Sequence, residues 1–165
     1  MIEIEACRGC GFEAPAEDGE THPYLIASAA CWRHFNAIMT REYSTPDLMP
    51  THYLAVDAYA AQHPGEAADR RARQSIWIHL AGLRAVLRDN REPQYRYSLL
   101  KNLADAHQDW PLAPPHAPFS LVAGKIAPDL SVEEHVIIMR NWAESALVAY
   151  EAANTDLGST LRALG

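Results

Sequence analysis

Residues 48–66 read LMPTHYLAVDAYAAQHPGE, and residues 73–87 read RQSIWIHLAGLRAVL. Both runs repeat apolar residues at helical spacing, and a polar stretch separates them. In the first, His52, Val56, Tyr59 and His63 fall at i, i+4, i+7 and i+11, which is one face of a helix. Pro46 suits the opening turn, and Pro64-Gly65 ends the helix at about Gln62 or His63. Asp57 falls off that face, beside Tyr53 and Ala60. In the second run, Ile76, His79, Leu80, Leu83 and Leu87 form the core stripe of a helix expected from about Ala72 to Asp89. A short link between them predicts an antiparallel hairpin, with His63 near the Gln74–His79 region. His52 and His63 lie about 16 Å apart along their own helix axis, so they cannot share one ion and must serve different sites or roles.

The flanking sequence extends the helical pattern. A preceding helix is expected from about Tyr24 or Ser28 to Tyr43, with Cys31, Phe35, Ile38 and Met39 on its apolar stripe and Trp32 beside them. Glu42 continues that stripe, and a carboxylate on a core face needs a partner. An arginine at the helix end would serve; a metal ion or acid/base chemistry is the sharper reading. Downstream, a shorter helix is expected over about Tyr95–His107, with Leu99, Leu100 and Leu103 inward. Residues 108–129 carry five prolines and little periodicity, yet Trp110, Leu112, Phe119, Leu121 and Val122 call for burial. They predict an ordered strap that covers one end of the bundle and closes a pocket. Ser131-Val-Glu-Glu134 is a capping box, opening a last helix to about Asn154 with Val132, His135, Met139, Trp142, Leu147 and Tyr150 on its stripe. The tail, 155–165, is expected to fray or add a short turn. The fold class is therefore all-α: a single-domain bundle of four to five helices over residues 24–154, with a zinc-knuckle-like segment at 1–23.

That segment holds Cys7-Arg-Gly-Cys10-Gly11. Two cysteines three apart on a tight turn can direct both sulfurs at one tetrahedral ion, and the glycines let the backbone fold around it. A full site needs two more ligands. His22 and Cys31 are the nearest, with His34 forming a C-x-x-H with Cys31. Cys7, Cys10, His22 and Cys31 would make a Cys3His site of structural zinc type. Free thiols are the plain alternative. A redox C-x-x-C is another, although it belongs at a strand-to-helix junction in an α/β pattern that this sequence lacks.

The chain has 165 residues, 48% of them hydrophobic and 21% charged, ordinary values for a globular chain. Its net charge of −7 argues against nucleic acid or an anionic membrane as partner. Arg70, Arg71 and Arg73 form a local basic cluster of the kind that is usually solvated helix surface. No apolar run is long enough to span a bilayer, and the acidic N-terminus is unlike a secretory signal. Three cysteines cannot all pair within one chain, which favours reduced thiols or metal thiolates and a cytoplasmic setting. A homodimer through an apolar helix face is open, with Trp32, Trp77 and Trp142 available.

Cys7-x-x-Cys10-Gly11, Asp18-Gly19-x-Thr21-His22, Cys31-Trp32, Glu42-Tyr43 and above all the VDAYAAQHPG run at 56–65 resemble an uncharacterised family of bacterial helical proteins, a domain of unknown function. Gln74-Ser75 with His79, Glu134-His135 and Trp142-Ala143 fit the same picture, which covers nearly the whole chain. His34 stands where that pattern would have an aromatic residue. The resemblance implies no activity.

The residues support two functional readings. In the first, zinc is held structurally, and an interior cluster drawn from Glu42, His52, Asp57, His63, His79 and His135 acts on a small molecule. Glu42, His63 and His79 are then the catalytic set, by acid/base chemistry or around a second metal ion. In the second, one structural zinc stabilises a non-catalytic interaction or regulatory module. A variant merges the sites, completing the zinc shell of Cys7, Cys10 and Cys31 with a histidine from one of the two central helices.

Overall fold

The computed structural model describes residues 1–106 and 108–164. Two short antiparallel strands, β1 (Ile4–Ala6) and β2 (Glu13–Pro15), come first, with Ala6 opposite Glu13. Six α-helices follow: α1 (Ala29–Ser44), α2 (His52–Gln62), α3 (Arg70–Leu87), α4 (Pro93–Asp105), α5 (Val132–Ala153) and α6 (Leu157–Leu164). The protein is largely α but not strictly so. The expectation of an all-α chain is corrected by the ribbon, whose three-residue strands are too short to show a period of two.

Local chemistry sets most of the helix ends. Ser28 caps α1 by accepting from the Cys31 amide, and Asp69 caps α3 by accepting from the Arg71 amide. Both halves of the capping box at Ser131 and Glu134 are made. Pro46 opens a 3-10 turn over Pro46–Thr51 that also contains Pro50, so α2 starts only at His52. The expected helix from Pro46 is thus shortened, because a proline amide cannot donate to the preceding turn. α4 begins at Pro93, and its expected end at His107 lies outside the described residues. The tail forms α6, with Leu157 and Leu161 buried, where fraying or a short turn was expected.

α2 is the centre of the bundle. Leu54, Ala55 and every residue from Asp57 to Gln62 are buried, so this helix is enclosed on nearly all sides. It packs between α5 and α3. Tyr59, Ile76, Leu80, Leu83, Met139, Trp142 and Leu147 meet in the core, each with almost no exposed surface. Asp57 is equally buried, which a reading by helical faces placed off the core stripe.

The proline-rich strap is tied down by backbone carbonyls. Arg73 donates to Trp110 O, Trp77 to Pro111 O and Gln62 to Leu121 O, while the Leu121 amide donates to Ser145 Oγ. Trp110 and Val122 are buried as expected, but Leu112 is exposed. Gly124 sits in a short 3-10 turn, Ala123–Lys125, where a Cβ would lie 2.3 Å from the Phe12 ring. That close approach fixes the ribbon against the strap. Among the described residues, no helix is long and apolar enough to cross a membrane.

Candidate metal centre

The loop between β1 and β2 presents Cys7 and Cys10. The Cys7 amide donates to Phe12 O and the Gly11 amide to Cys7 O, each at 2.8 Å, closing the loop into a tight turn. Cys31 lies in the first turn of α1, and His63 is the C-terminal cap of α2. One donor atom from each of Cys7, Cys10, Cys31 and His63 falls within 4.8 Å of the others. Cys10 Sγ is 3.6 Å from Cys31 Sγ, and Cys31 Sγ is 3.2 Å from His63 Nε2. A tetrahedral zinc with Zn–S near 2.3 Å and Zn–N near 2.0 Å requires S···S edges of about 3.8 Å and S···N edges of about 3.5 Å. The donor spacing fits.

The histidine is set for the task. His63 Nδ1 lies 2.7 Å from Tyr59 O. A carbonyl oxygen only accepts, so Nδ1 carries the proton and Nε2 keeps its lone pair toward the sulfurs. A carbonyl that accepts from the far ring nitrogen fixes tautomer and ring orientation in metal-bound imidazoles. The Tyr59 ring stacks on His63 at 3.9 Å, and its hydroxyl donates to Cys31 Sγ. Gly9 is required at the tip: a Cβ there would lie 2.4 Å from Ile26 O and 2.5 Å from His63 Cδ2.

Crowding shapes the thiols electrostatically. Cys7 is held far below its usual value by hydrogen bonds from Cys10 and then Cys31. Cys10 is pulled down by Cys31, but hydrogen bonding to Cys7, burial and repulsion outweigh that and push it up to about 12. Cys31 is held far above the thiol range by its hydrogen bonds with Cys10 and Cys7, then by burial. One thiolate is comfortable here. Three would repel one another in a buried space, and a bound cation is what would let all three ionise.

His22, expected as the fourth ligand, stands apart from this group. Its Nδ1 accepts from the Tyr24 amide at 3.3 Å, and its ring packs edge-on against Tyr24 and Trp32. The expected catalytic set also separates. Glu42, His63 and His79 belong to three different clusters. Glu42, fully buried, accepts from His52 Nδ1 at 2.7 Å and from His135 Nε2 at 2.8 Å. His79 Nδ1 lies 2.7 Å from Asp57 Oδ1, and Arg96 clamps the same carboxylate through Nε at 2.8 Å and through Nη2. The cause is hairpin register. His79 pairs with Asp57, six residues before His63, which is about 9 Å along the axis.

Arg96 was not singled out in the sequence, and Tyr43 was noted only beside Glu42. Arg96 sits in a polar run, YRYS, with no sign that its guanidinium turns inward. Tyr43 brings its hydroxyl to 3.2 Å from His52 Nε2. Glu42 on the core stripe was the available clue, since a buried carboxylate demands a cationic or imidazole partner; Asp57, off that stripe, gave none.

Fold and site together define a mainly helical protein in which an N-terminal ribbon, α1 and α2 converge on a buried three-cysteine, one-histidine group able to hold a metal ion. The chain belongs to DUF5946, a family of unknown function whose model matches residues 5–151. No curated protein and no solved structure matches it.

Proposed function

We propose that this chain is a zinc-binding helical protein with one structural zinc held by Cys7, Cys10, Cys31 and His63. The observation that carries the reading is His63: its Nδ1–H donates to Tyr59 O and its free Nε2 lies 3.2 Å from Cys31 Sγ, close to the spacing of two ligands on one tetrahedral ion. Four protein donors complete a tetrahedron, and a catalytic zinc would instead keep one position for water. The ion would join three segments distant in sequence, which suits a non-catalytic interaction or regulatory module stabilised by metal. A redox role for Cys7 and Cys10 is disfavoured, because their turn lies in an antiparallel ribbon with a third sulfur and an imidazole in reach.

The test is metal content per chain on untagged protein, before and after dialysis against a competing chelator. About one zinc is expected for the wild type, matching one four-donor site. Cys7→Ser and His63→Ala should lose it, and His22→Ala should keep it. Cobalt substitution should give the absorption of a tetrahedral thiolate site, weakened in His63→Ala. Full zinc retention by His63→Ala, with loss in His22→Ala, would overturn the ligand set. A folded wild type that never retains metal would overturn the function.

A further inference from the structure

A second site runs along α1 from Arg33 to Arg41, in a cavity of about 510 Å³ between α1, the strap and the start of α5. Its polar walls are Arg33, His34, Arg41, Lys125 and His135, and among the described residues no carboxylate lines it. On a chain of net charge −7 such a concentration of cationic and imidazole groups is distinctive. Ile38, Ile126 and Pro128 add an apolar wall.

The cations differ in freedom. Arg33 is paired with Glu17, through Nε at 2.8 Å and Nη2 at 3.1 Å. Arg41 donates to the carbonyls of Pro128 and Leu130, which pins the strap and holds the guanidinium at the rim. Glu134, on the adjacent turn, is engaged by the Ser131 amide. Lys125 is exposed and has no ion-pair partner among the described residues.

His135 is the buried wall group. Its Nε2 proton goes to Glu42 Oε1; Glu42 Oε2 takes the His52 Nδ1 proton, and His52 Nε2 meets Tyr43 Oη. A chain of four groups therefore runs from the exposed Tyr43 ring to the cavity. A fully buried carboxylate between two imidazoles is stable only when positive charge is shared with it. The Glu42 contact fixes the His135 tautomer, as a carboxylate does for an imidazole in an acid/base dyad.

We propose that this cavity binds a small organic molecule with an oxyanion head, phosphate or carboxylate. Lys125 and Arg41 meet the head, Ile38 and Ile126 meet its apolar body, and His135 lies at the buried wall beside it. The site is independent of the zinc reading: it shares no residue with the cysteine group, and its test reads a different signal.

The test uses the protein as purified and follows imidazole resonances by NMR during titration with n-butyl phosphate, butyrate, inorganic phosphate and neutral butanol. A saturable shift at His135 is expected with at least one butyl anion, tighter than with inorganic phosphate, and none with butanol. The tighter of the two anions names the head. Lys125→Ala, a surface change that leaves the Glu42 network untouched, should weaken that binding about fivefold or more, the loss of one charge-assisted contact. Unchanged circular dichroism and zinc content would show that it still folds. Absence of a saturable His135 shift, equal affinity in Lys125→Ala, or an equal weakening in Lys101→Ala on α4 would overturn the site.

Discussion

Asp57 illustrates how much one buried residue determines. Its carboxylate has no exposed surface and is shared by His79 of α3 and Arg96 of α4. Gly82 permits this, since a Cβ there would lie 2.8 Å from Asp57 Oδ2. Arg96 also lies over the Tyr53 ring at 5.4 Å, so its guanidinium is enclosed by an anion and an aromatic face. Replacing one member of such a group strands the others. Asp57→Leu should cost about 3–5 kcal/mol in urea denaturation, because Arg96 stays buried without its partner. The double variant Asp57→Leu/Arg96→Met should recover much of that loss. Equal destabilisation of the single and double variants would show that packing, rather than the stranded charge, sets the cost. The same logic explains why the expected set of Glu42, His63 and His79 does not converge: His63 is committed to Tyr59 O, His79 to Asp57, and Glu42 to His52 and His135.

At the scale of helices, a single spacing organises both ends of the α1–α2 pair. Cys31 and Glu42 are eleven residues apart on α1, and His52 and His63 are eleven apart on α2. Eleven residues are three turns, about 16 Å. Antiparallel packing then pairs Cys31 with His63 at one end and Glu42 with His52 at the other, as observed. This much was legible in the sequence: the periodicity, the prolines and the separation of His52 from His63 were all readable. A histidine of one of the two central helices beside the three cysteines was readable as a variant, but preferring His63 to His22 was not, because nearness in sequence favoured His22 while the grouping depends on helix packing. The two-stranded ribbon was hidden by its brevity, and the Asp57–Arg96 clamp by the distance between α2 and α4 along the chain. Gln62 shows what a conspicuous motif residue can do without chemistry. It accepts from Trp142 Nε1 and donates to Leu121 O, each at 2.8 Å, joining α2 to α5 and the strap. Gln62→Leu leaves the buried indole N–H unpaired, with an expected loss of about 1–3 kcal/mol. A thermal melt beside the wild type measures it, and an unchanged melting temperature would mean that the indole finds another acceptor.

For the whole molecule, the two polar clusters on α1 hold different parts of the structure. The cysteine group joins the ribbon to α1 and α2, and Phe12 carries that anchorage to the strap at Gly124. Through Tyr59 that group adjoins the apolar core, whose far part is where Ile76, Leu80 and Leu83 of α3 meet Met139, Trp142 and Leu147 of α5. A small zinc finger unfolds without its metal because it has little other core. Here the helices bury enough apolar surface to persist, and stability should divide into regions of unequal free energy. Chelation is therefore expected to open the ribbon and the first turn of α1 while α3 and α5 stay folded. Amide exchange measured with and without chelator tests this directly. The amides of Cys7, Gly11 and Trp32 should lose protection, those at Lys125 and Ile126 should lose part of it, and those from Met139 to Leu147 should keep theirs. Uniform loss of protection would make the metal a requirement for the entire fold. No change at Cys7 and Gly11 would mean that the ribbon is held without metal, and the structural role of zinc would fall.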